Sequence, residues 1–426
     1  MRRALALALL ALAACGGSGP RRGGVAPQNA LLITVGGLRA DRLTAYLYPR
    51  ATTYLPFSAE ERLRGDDLSI DAVVAQGVAF ANAYSPSGNS AAALASVLTG
   101  RHPLEACVLS AKDELDSAVP TLAERFAAAD FRTAAFVSGF PIRPGVSIGR
   151  GFATCAGEEG LSDEDVLRDA RDWVDGLAEG ERFFLWVHLR SPTTVTDAPH
   201  EAAERYDAAV LHVNQLVFAF LSHLAGRSEP PDPPPRDRLA DTALVLTAPT
   251  GIELGDRQGY VGHRKSLQDA ALHVPLVLRH PRSMTGRRVM SEVVGLDRVA
   301  PTLADWFELE PLGSSESLLA LVDGARSSDD GAACLSTRGG RVFSLRTGRW
   351  RLVWNPGGGV RDDDFPSPEL ALFDTHADPR EERDCAAQEQ EVARELLAAL
   401  VHELELMGSG CLTAGELDEL RQRASQ

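Results

Sequence analysis

Short, uninterrupted apolar runs recur along most of the chain, and amphipathic stretches separate them. The run Ala30–Val35 is followed at once by Gly36 and Gly37. A continuous apolar run of this length is typical of a strand buried on both faces of a sheet, and glycine permits a tight turn at its end. The same pattern predicts further strands at Val78–Tyr84, Thr133–Val137, Phe183–His188, Asp241–Thr247 and Pro275–Leu278.

Amphipathic stretches between these runs predict helices. They are Leu68–Gly77, Ala91–Leu98, Thr121–Ala129, Asp163–Leu177 and Glu201–Leu224. Alternation of strands and helices predicts an α/β fold, with a large mixed, mostly parallel sheet flanked by helices. Ligands of such sheets bind outside the carboxyl ends of the strands, so Gly36 and Gly37 should lie on the floor of any site.

The pattern changes after about Leu312, where the apolar segments become shorter. Antiparallel strands are predicted at Arg341–Arg346, Trp350–Trp354 and Leu370–Phe373, followed by an amphipathic helix at Glu391–Leu406. These elements indicate a small C-terminal α+β domain. The predicted divisions are an α/β domain at 29–312, a linker at 313–330, the C-terminal domain at 331–408 and a tail at 409–426.

The first 15 residues have the pattern of a targeting segment. A basic start precedes the apolar run Ala4–Ala11, which is too short to span a bilayer. Leu12-Ala13-Ala14-Cys15 resembles a bacterial lipoprotein signal that is cleaved before Cys15, where lipid is attached. The alternative is an ordinary secretory signal that contains a cysteine.

A lipid on Cys15 would make the membrane a partner of the protein. Residues 16–28 are rich in glycine and proline and would form a flexible tether. Gly16 is not the aspartate that typically retains such lipoproteins at the inner membrane. We therefore expect a protein of the bacterial cell envelope, on the periplasmic or surface face, and Gly16 favours the outer membrane.

Composition narrows the possible partners. Hydrophobic residues make up 44% of the chain, enough for a sizeable core, and the net charge is −16. Nucleic acid is excluded as a partner, because binding phosphate backbones requires a basic face.

Five cysteines follow Cys15, and export would permit disulfides. The odd number leaves at least one thiol unpaired. Cys107–Cys155 and Cys334–Cys385 are candidate pairs, but spacing does not determine the connectivity, and Cys411 has no assigned partner. No cysteine–histidine spacing indicates a zinc site.

Several segments, taken in order, resemble the sulfatase family of the alkaline-phosphatase-like superfamily. The segments that carry the resemblance are Thr34–Leu43, Ala83–Pro86, Leu94–Pro103, Val119–Glu124, Phe131–Ser138, Gly262-His263, His273–Leu276, Ala300–Leu303, Leu372–Asp374 and Ala377–Pro379. The resemblance implies an alkaline-phosphatase-like fold over nearly the whole mature chain. It also implies metal-assisted attack on a sulfate or phosphate ester, with Ca²⁺ or another divalent cation held by carboxylates and imidazoles.

The positions at which the resemblance places metal ligands hold other residues here. They are Gly36, Gly37, Thr193, Pro249 and Thr250, with Asn214 as a weaker indicator. Glycine, proline and threonine cannot replace ligating carboxylates and imidazoles. We therefore expect a divergent member without a metal site and without a cofactor.

Ser90 occupies the position that corresponds to the family's nucleophile. The run Ser90–Leu94 lacks the proline and arginine needed for conversion to formylglycine. Direct attack by the Ser90 hydroxyl remains chemically feasible. The alternative is that Ser90 is a helix N-cap before the alanine-rich run.

His263, Arg264 and Lys265 lie where the family keeps cationic groups near the substrate, so they are candidate anion-binding residues. The alternative interpretation is that these three residues lie in a solvated loop and bind nothing. His188, at the end of a predicted strand, is interpreted as a core or rim histidine. Arg39 and Asp41 are predicted to pair locally.

Two hypotheses follow. The first is a sulfatase-like envelope lipoprotein that has lost hydrolysis and binds a sulfated or phosphorylated ligand or a partner, or serves structurally. The alternative is an active sulfuric or phosphoric ester hydrolase that uses Ser90 and a rebuilt cation site. Candidate ligands of that site are Asp41, Asp197, Asp256 and His263.

Overall fold

The computed structural model describes residues 27–195, 199–227, 236–256, 259–262, 266–280, 284, 287–324, 333–356, 368–407 and 411–424. The strands are β1 (Asn29–Val35), β2 (Val78–Tyr84), β3 (Arg132–Ser138), β4 (Thr154–Glu158), β5 (Phe183–Leu189), β6 (Thr242–Thr247), β7 (Glu253–Leu254), β8 (Val261–Gly262), β9 (Leu276–Arg279), β10 (Arg288–Gly295), β11 (Cys334–Arg338), β12 (Val342–Arg346), β13 (Trp350–Trp354) and β14 (Leu370–Asp374). The α-helices are α1 (Ala59–Arg64), α2 (Ile70–Ala75), α3 (Ser90–Thr99), α4 (Pro103–Ala106), α5 (Leu122–Ala128), α6 (Asp163–Asp175), α7 (Pro199–Leu224), α8 (Asp269–Leu272), α9 (Val299–Trp306), α10 (Leu319–Val322), α11 (Gln390–Leu406) and α12 (Ala414–Ala424).

A large mixed sheet organises the first part of the chain. Within the described residues, its strands follow the order β10-β2-β9-β6-β1-β5-β3-β4. Strand β9 runs antiparallel to both of its neighbours, and the other pairings are parallel. Every residue of β1 is buried between β5 and β6. The predicted mostly parallel sheet is thus confirmed, with β1 in its interior.

Helices cover both faces of this sheet. Phe126 of α5 stacks on Phe184, with ring centroids 4.5 Å apart, whereas Trp173 of α6 meets Phe183 edge-on at 6.2 Å. Consecutive strand residues point to opposite faces. Helices α5 and α6 therefore lie on opposite sides of β5, and the sheet is buried on both.

The last part of the chain forms the predicted antiparallel sheet, in the order β11-β12-β13-β14. Helix α11 packs on this sheet through a cluster that includes Leu352, Leu372, Leu397 and Leu400. Helix α12, which lies in the segment predicted as a tail, adds partly buried side chains to the same cluster. The apolar face of α11 therefore has a partner on each side.

Neither candidate disulfide is present. The five cysteines of the described residues are free thiols, and they approach different groups. Cys334 contacts the carbonyl of Tyr84 and Cys385 that of Leu372. Cys107 instead lies near Cys411, which the sequence analysis left without a partner.

None of the described helices is both long and apolar enough to cross a bilayer. The targeting segment 1–15, with Cys15, lies outside the described residues.

Candidate functional site

The carboxyl ends of β1, β5 and β6 meet at one edge of the sheet. Thr34 of β1 is in register with His188 of β5 and with Thr247 of β6. The residues that follow these strands therefore come together, and the first turn of α3 faces the same place. A cavity of about 910 Å³ opens there, and its lining includes Gly36, Ser90, His188, Arg190 and Thr193.

Thr193 fills the space beside the two glycines that end β1. A Cβ atom on Gly36 would lie 3.1 Å from the Thr193 methyl carbon, and one on Gly37 would lie 2.9 Å from it. The Thr193 hydroxyl donates to the carbonyl of Arg190 at 2.7 Å, which fixes the side chain in this position. A carboxylate at either glycine would need Thr193 to move.

We expect Gly37→Ala to lower the free energy of unfolding by about 1–2 kcal/mol. Gly37 has φ +74°, a region that costs a side-chain-bearing residue about 1 kcal/mol, and its new methyl would also press on Thr193. Chemical unfolding of the two proteins measures the difference.

The double variant Gly37→Ala/Thr193→Ser is the matched control for this packing. Serine keeps the hydroxyl that bonds to Arg190 and removes the methyl carbon 2.9 Å from the new Cβ. In the Thr193→Ser background, Gly37→Ala should therefore lower the free energy of unfolding by less than it does in the wild-type protein. Equal losses in both backgrounds would show that Thr193 does not fill the space.

Ser90 begins α3 but does not cap it. Asn89 is the N-cap, because its side chain accepts hydrogen bonds from the N–H groups of Ala91 and Ala92 at 3.0 and 3.4 Å. The interpretation of Ser90 as N-cap is therefore wrong by one residue. The Ser90 hydroxyl instead lies 3.0 Å from the Thr250 hydroxyl, at the position where the resemblance placed a metal ligand.

His188 is a buried, neutral imidazole at the floor of the cavity. Its Nδ1 lies 2.8 Å from the Thr34 hydroxyl, which also accepts a hydrogen bond from the Trp186 indole at 2.9 Å. The other acceptor near the Thr34 hydroxyl is the Val187 carbonyl, at the longer distance of 3.4 Å. We therefore assign the Thr34 proton to Nδ1, which leaves the imidazole proton on Nε2.

Burial lowers the pKa of His188 to about 4, against an opposing effect of Asp163. The ring is thus uncharged at neutral pH. Its Nε2 lies 3.6 Å from the point that a Cβ on Gly36 would occupy. The side chain can offer an N–H donor to a bound anion without carrying a positive charge.

Three cationic side chains line the cavity further out, namely Lys112, Arg143 and Arg190. Lys112 and Arg143 are exposed, and none of the three forms an ion pair with a carboxylate in the described part of the chain. Of the acidic residues in the lining, Asp113 is bonded to the backbone N–H groups of Leu109 and Ser110. The lining also holds the exposed carboxylates Glu114 and Glu159, so the three cations provide groups that can bond to an anion but do not give the lining a net positive charge.

Asp163 holds the backbone from which Arg190 projects. One of its carboxylate oxygens accepts from the N–H of Arg190 and the other from the N–H of Ser191, both at 2.9 Å. This carboxylate is buried and also accepts from the Ser138 hydroxyl at 2.5 Å. It therefore acts as a positioning residue for the cavity wall.

The residues that the structure describes do not fit a divalent cation. No group of three or more His, Cys, Asp or Glu side chains suited to a metal occurs within the described ranges. Asp41 and Asp256 line a different cavity, where the buried Arg39 donates to Asp41 at 2.8 Å and to Asp256 at 2.6 Å. The predicted Arg39–Asp41 pair is thus present, and both carboxylates already have the protein's own cation as partner.

Burial would raise the pKa of these two carboxyls, but the contact with Arg39 outweighs it and lowers the pKa of both. Two other candidates of the rebuilt cation site, Asp197 and His263, lie outside the described residues. Asn214 is not among the residues that line the cavity, and its side-chain oxygen accepts a hydrogen bond from the N–H of Ile70 at 2.8 Å. The two described carboxylates therefore do not approach Ser90 as that hypothesis requires.

The candidate anion-binding residues His263, Arg264 and Lys265 also lie outside the described residues. Sequence reasoning missed Lys112, Arg143 and Arg190, which the structure places in the cavity lining. For Arg190 a signal existed, because it lies two residues after His188, the end of a predicted strand.

The family model described as Sulfatase matches residues 28–309. No curated protein sequence matches the chain.

Solved structures share the fold at low identity. The phosphonate monoester hydrolase of Agrobacterium radiobacter has a TM-score of 0.66 and 15% identity, with 93% of this chain and 96% of that chain covered. A structure from the study of glycosaminoglycan metabolism by Bacteroides thetaiotaomicron has a TM-score of 0.72 and 13% identity, covering 93% and 99%. A protein in complex with its substrate D-glucosamine-2-N,6-O-disulfate has a TM-score of 0.66 and 14% identity, covering 91% and 99%.

Proposed function

Because the chain belongs to the sulfatase family, we propose that it binds a sulfated or phosphorylated ligand in this cavity without metal-dependent hydrolysis. The observation that carries the proposal is the packing of the Thr193 methyl against Gly36 and Gly37. A second contact supports it, because the Ser90 hydroxyl is bonded to Thr250 rather than to a ligating group.

The groups that remain in the cavity suit binding. The Nε2–H of His188, the Ser90 hydroxyl and the guanidinium of Arg190 are donors that can hold the oxygens of an ester sulfate or phosphate. We include in the proposal that the protein is held in the cell envelope by lipid on Cys15. A ligand at the cell surface or in the periplasm would then reach the cavity without entering the cytoplasm.

The test uses the chain from Gly16 onward and measures three quantities. They are bound metal, turnover of an aryl sulfate, a phosphodiester and a phosphonate monoester, and the affinity for D-glucosamine-2-N,6-O-disulfate by calorimetry. We expect substoichiometric metal, no turnover above that of Ser90→Ala, and measurable binding.

Arg190→Gln should weaken this binding by about tenfold, the equivalent of ~1.4 kcal/mol, because a charge-assisted hydrogen bond is lost. Arg394→Gln is the matched control, because Arg394 is an exposed arginine on α11 and does not line the cavity. Equal affinities of the two variants would show that the ligand does not bind in this cavity. Stoichiometric metal together with turnover that Ser90→Ala abolishes would establish the active hydrolase instead.

A further inference from the structure

Two cysteines that are distant in sequence meet at one backbone carbonyl. Cys107 follows the last residue of α4, and Cys411 precedes α12. The Sγ atom of Cys107 lies 3.8 Å from the oxygen of Leu104, and that of Cys411 lies 3.3 Å from the same atom. The backbone N–H of Cys411 donates to this oxygen as well, at 3.0 Å.

The two thiols differ in their surroundings. Cys107 is exposed and has φ +52°, in the left-handed region. Cys411 is half-buried, and burial is the main cause that raises its pKa to about 12. The charge of the Cys107 thiolate and a hydrogen bond with Cys107 also raise this pKa, as expected for two sulfur atoms that contact the same Leu104 oxygen.

We propose that Cys107 and Cys411 form a disulfide that ties the final segment, 411–424, to the wall of the anion-binding cavity. The loop that begins at Val108, directly after Cys107, supplies lining residues of that cavity up to Glu114. A covalent bond at Cys107 would therefore fix the start of this loop. It would also hold α12, whose apolar residues cover one side of α11.

The bond forms by exchange with an oxidant that itself carries a disulfide, such as a thiol oxidoreductase or oxidised glutathione. The exposed Cys107 thiolate attacks one sulfur of that disulfide and displaces the other as a thiolate. The Cys411 thiolate then attacks Sγ of Cys107, and the oxidant leaves fully reduced. Two thiol protons are released, and the two electrons pass to the oxidant.

The mixed disulfide favours the second step. It removes the negative charge of the Cys107 thiolate, which is one of the causes that raise the pKa of Cys411. The exposed thiol thus reacts first, and its reaction prepares the partly buried one.

The remaining cysteines act as internal controls. Cys334 is buried in β11, and burial raises its pKa to about 12, while Cys385 contacts the carbonyl of Leu372 at 3.2 Å. Cys155 lies on β4, and burial raises its pKa to about 11. None of these thiols shares a contact with Cys107 or Cys411 in the described part of the chain.

The test equilibrates the chain from Gly16 onward with excess oxidised glutathione, then denatures and alkylates it without reductant for peptide mass spectrometry. We expect a linked Cys107–Cys411 peptide, an intact mass lower by two hydrogen atoms, and alkylation of Cys155, Cys334 and Cys385. Cys107→Ser and Cys411→Ser should each abolish the mass decrease, and Cys155→Ser should leave it.

Reduction of the wild-type protein should also accelerate proteolytic release of the 411–424 segment. Alkylation of both cysteines after oxidation, a lasting glutathione adduct on Cys107, or a link between any other pair would overturn the proposal. The measurement reads a covalent bond, so its outcome is independent of whether the cavity binds an anion.

Discussion

Replacing Arg351 with methionine is expected to lower the free energy of unfolding by about 3–5 kcal/mol, because it leaves the buried carboxylate of Glu381 without its cationic partner. Arg351 lies on β13 with its side chain fully buried. It donates to Glu381 at 2.5 Å, to the Ser344 hydroxyl at 3.1 Å, and to Asp269. Asp269 belongs to α8 of the α/β domain, so this network joins the two parts of the chain.

Urea unfolding measures the loss, and Arg349→Met is the matched control. Arg349 lies two residues earlier and binds Asp374 at 2.6 Å, but its side chain is 55% exposed. An exposed ion pair contributes at most about 1 kcal/mol, so the control should lose little. Similar losses in the two variants would contradict the role of the buried network.

The double variant Arg351→Met/Glu381→Gln distinguishes two contributions. One is the loss of the attraction between the two side chains, and the other is the cost of leaving a buried carboxylate unpaired. Glu381 is buried, and its carboxylate carries most of the desolvation cost once Arg351 is absent. Neutralising it should therefore recover part of the stability lost by Arg351→Met. If the double variant is less stable than the single one, the penalty does not come from the unpaired carboxylate.

The interior strands were predictable because burial on both faces requires continuous apolar runs. The predicted bounds of Val78–Tyr84 are those of β2, and Ala30–Val35 differs from β1 by one residue. Edge strands carry no such requirement. Strand β4 is short and half-buried, and β10 is largely exposed in its first half, so neither has a run that separates it from a loop.

The candidate site was predictable in position but not in content. The resemblance located Gly36, Thr193, Thr250 and Ser90, and the structure brings them to one edge of the sheet. The sequence could not show that the Thr193 methyl fills the space beside the glycines, because that contact depends on how the turn after β5 packs. Arg190 follows a predicted strand, but that position alone does not place its side chain in the cavity, since this depends on the backbone that Asp163 holds.

Two candidates of the rebuilt cation site, Asp41 and Asp256, have another partner for a related reason. Asp41 and Asp256 are carboxylates near the end of strands, which makes them reasonable ligands when only the sequence is considered. Arg39 lies close enough in the fold to bond with both. Whether a carboxylate is free to bind metal depends on such tertiary partners, and residue type alone does not reveal them.

His188 should make the folded protein less stable as the pH falls from about 6.5 to about 4. Burial lowers the pKa of His188 in the folded protein from 6.5 to about 4. Within this window the unfolded chain takes up a proton that the folded protein does not, so protonation stabilises the unfolded state relative to the folded one. The stability contributed by the neutral ring is present above pH 6.5, and up to about 3 kcal/mol is lost by pH 4. Urea unfolding at a series of pH values measures the slope.

His188→Asn isolates this effect, because asparagine keeps a polar group for Thr34 and does not titrate in this range. The variant should be less stable at high pH, since ring volume is lost from the core, but its stability should fall less steeply below pH 6.5. His102 provides a parallel, because burial also lowers its pKa to about 4 and its Nδ1 caps α4 by accepting from Leu104. His102→Asn keeps a good N-cap and should reduce the slope in the same window. An unchanged slope in His188→Asn would mean that the imidazole takes up its proton in the same pH range in the folded protein as in the unfolded chain, and below about pH 6.5 the anion would then meet a cation rather than a neutral donor at the cavity floor.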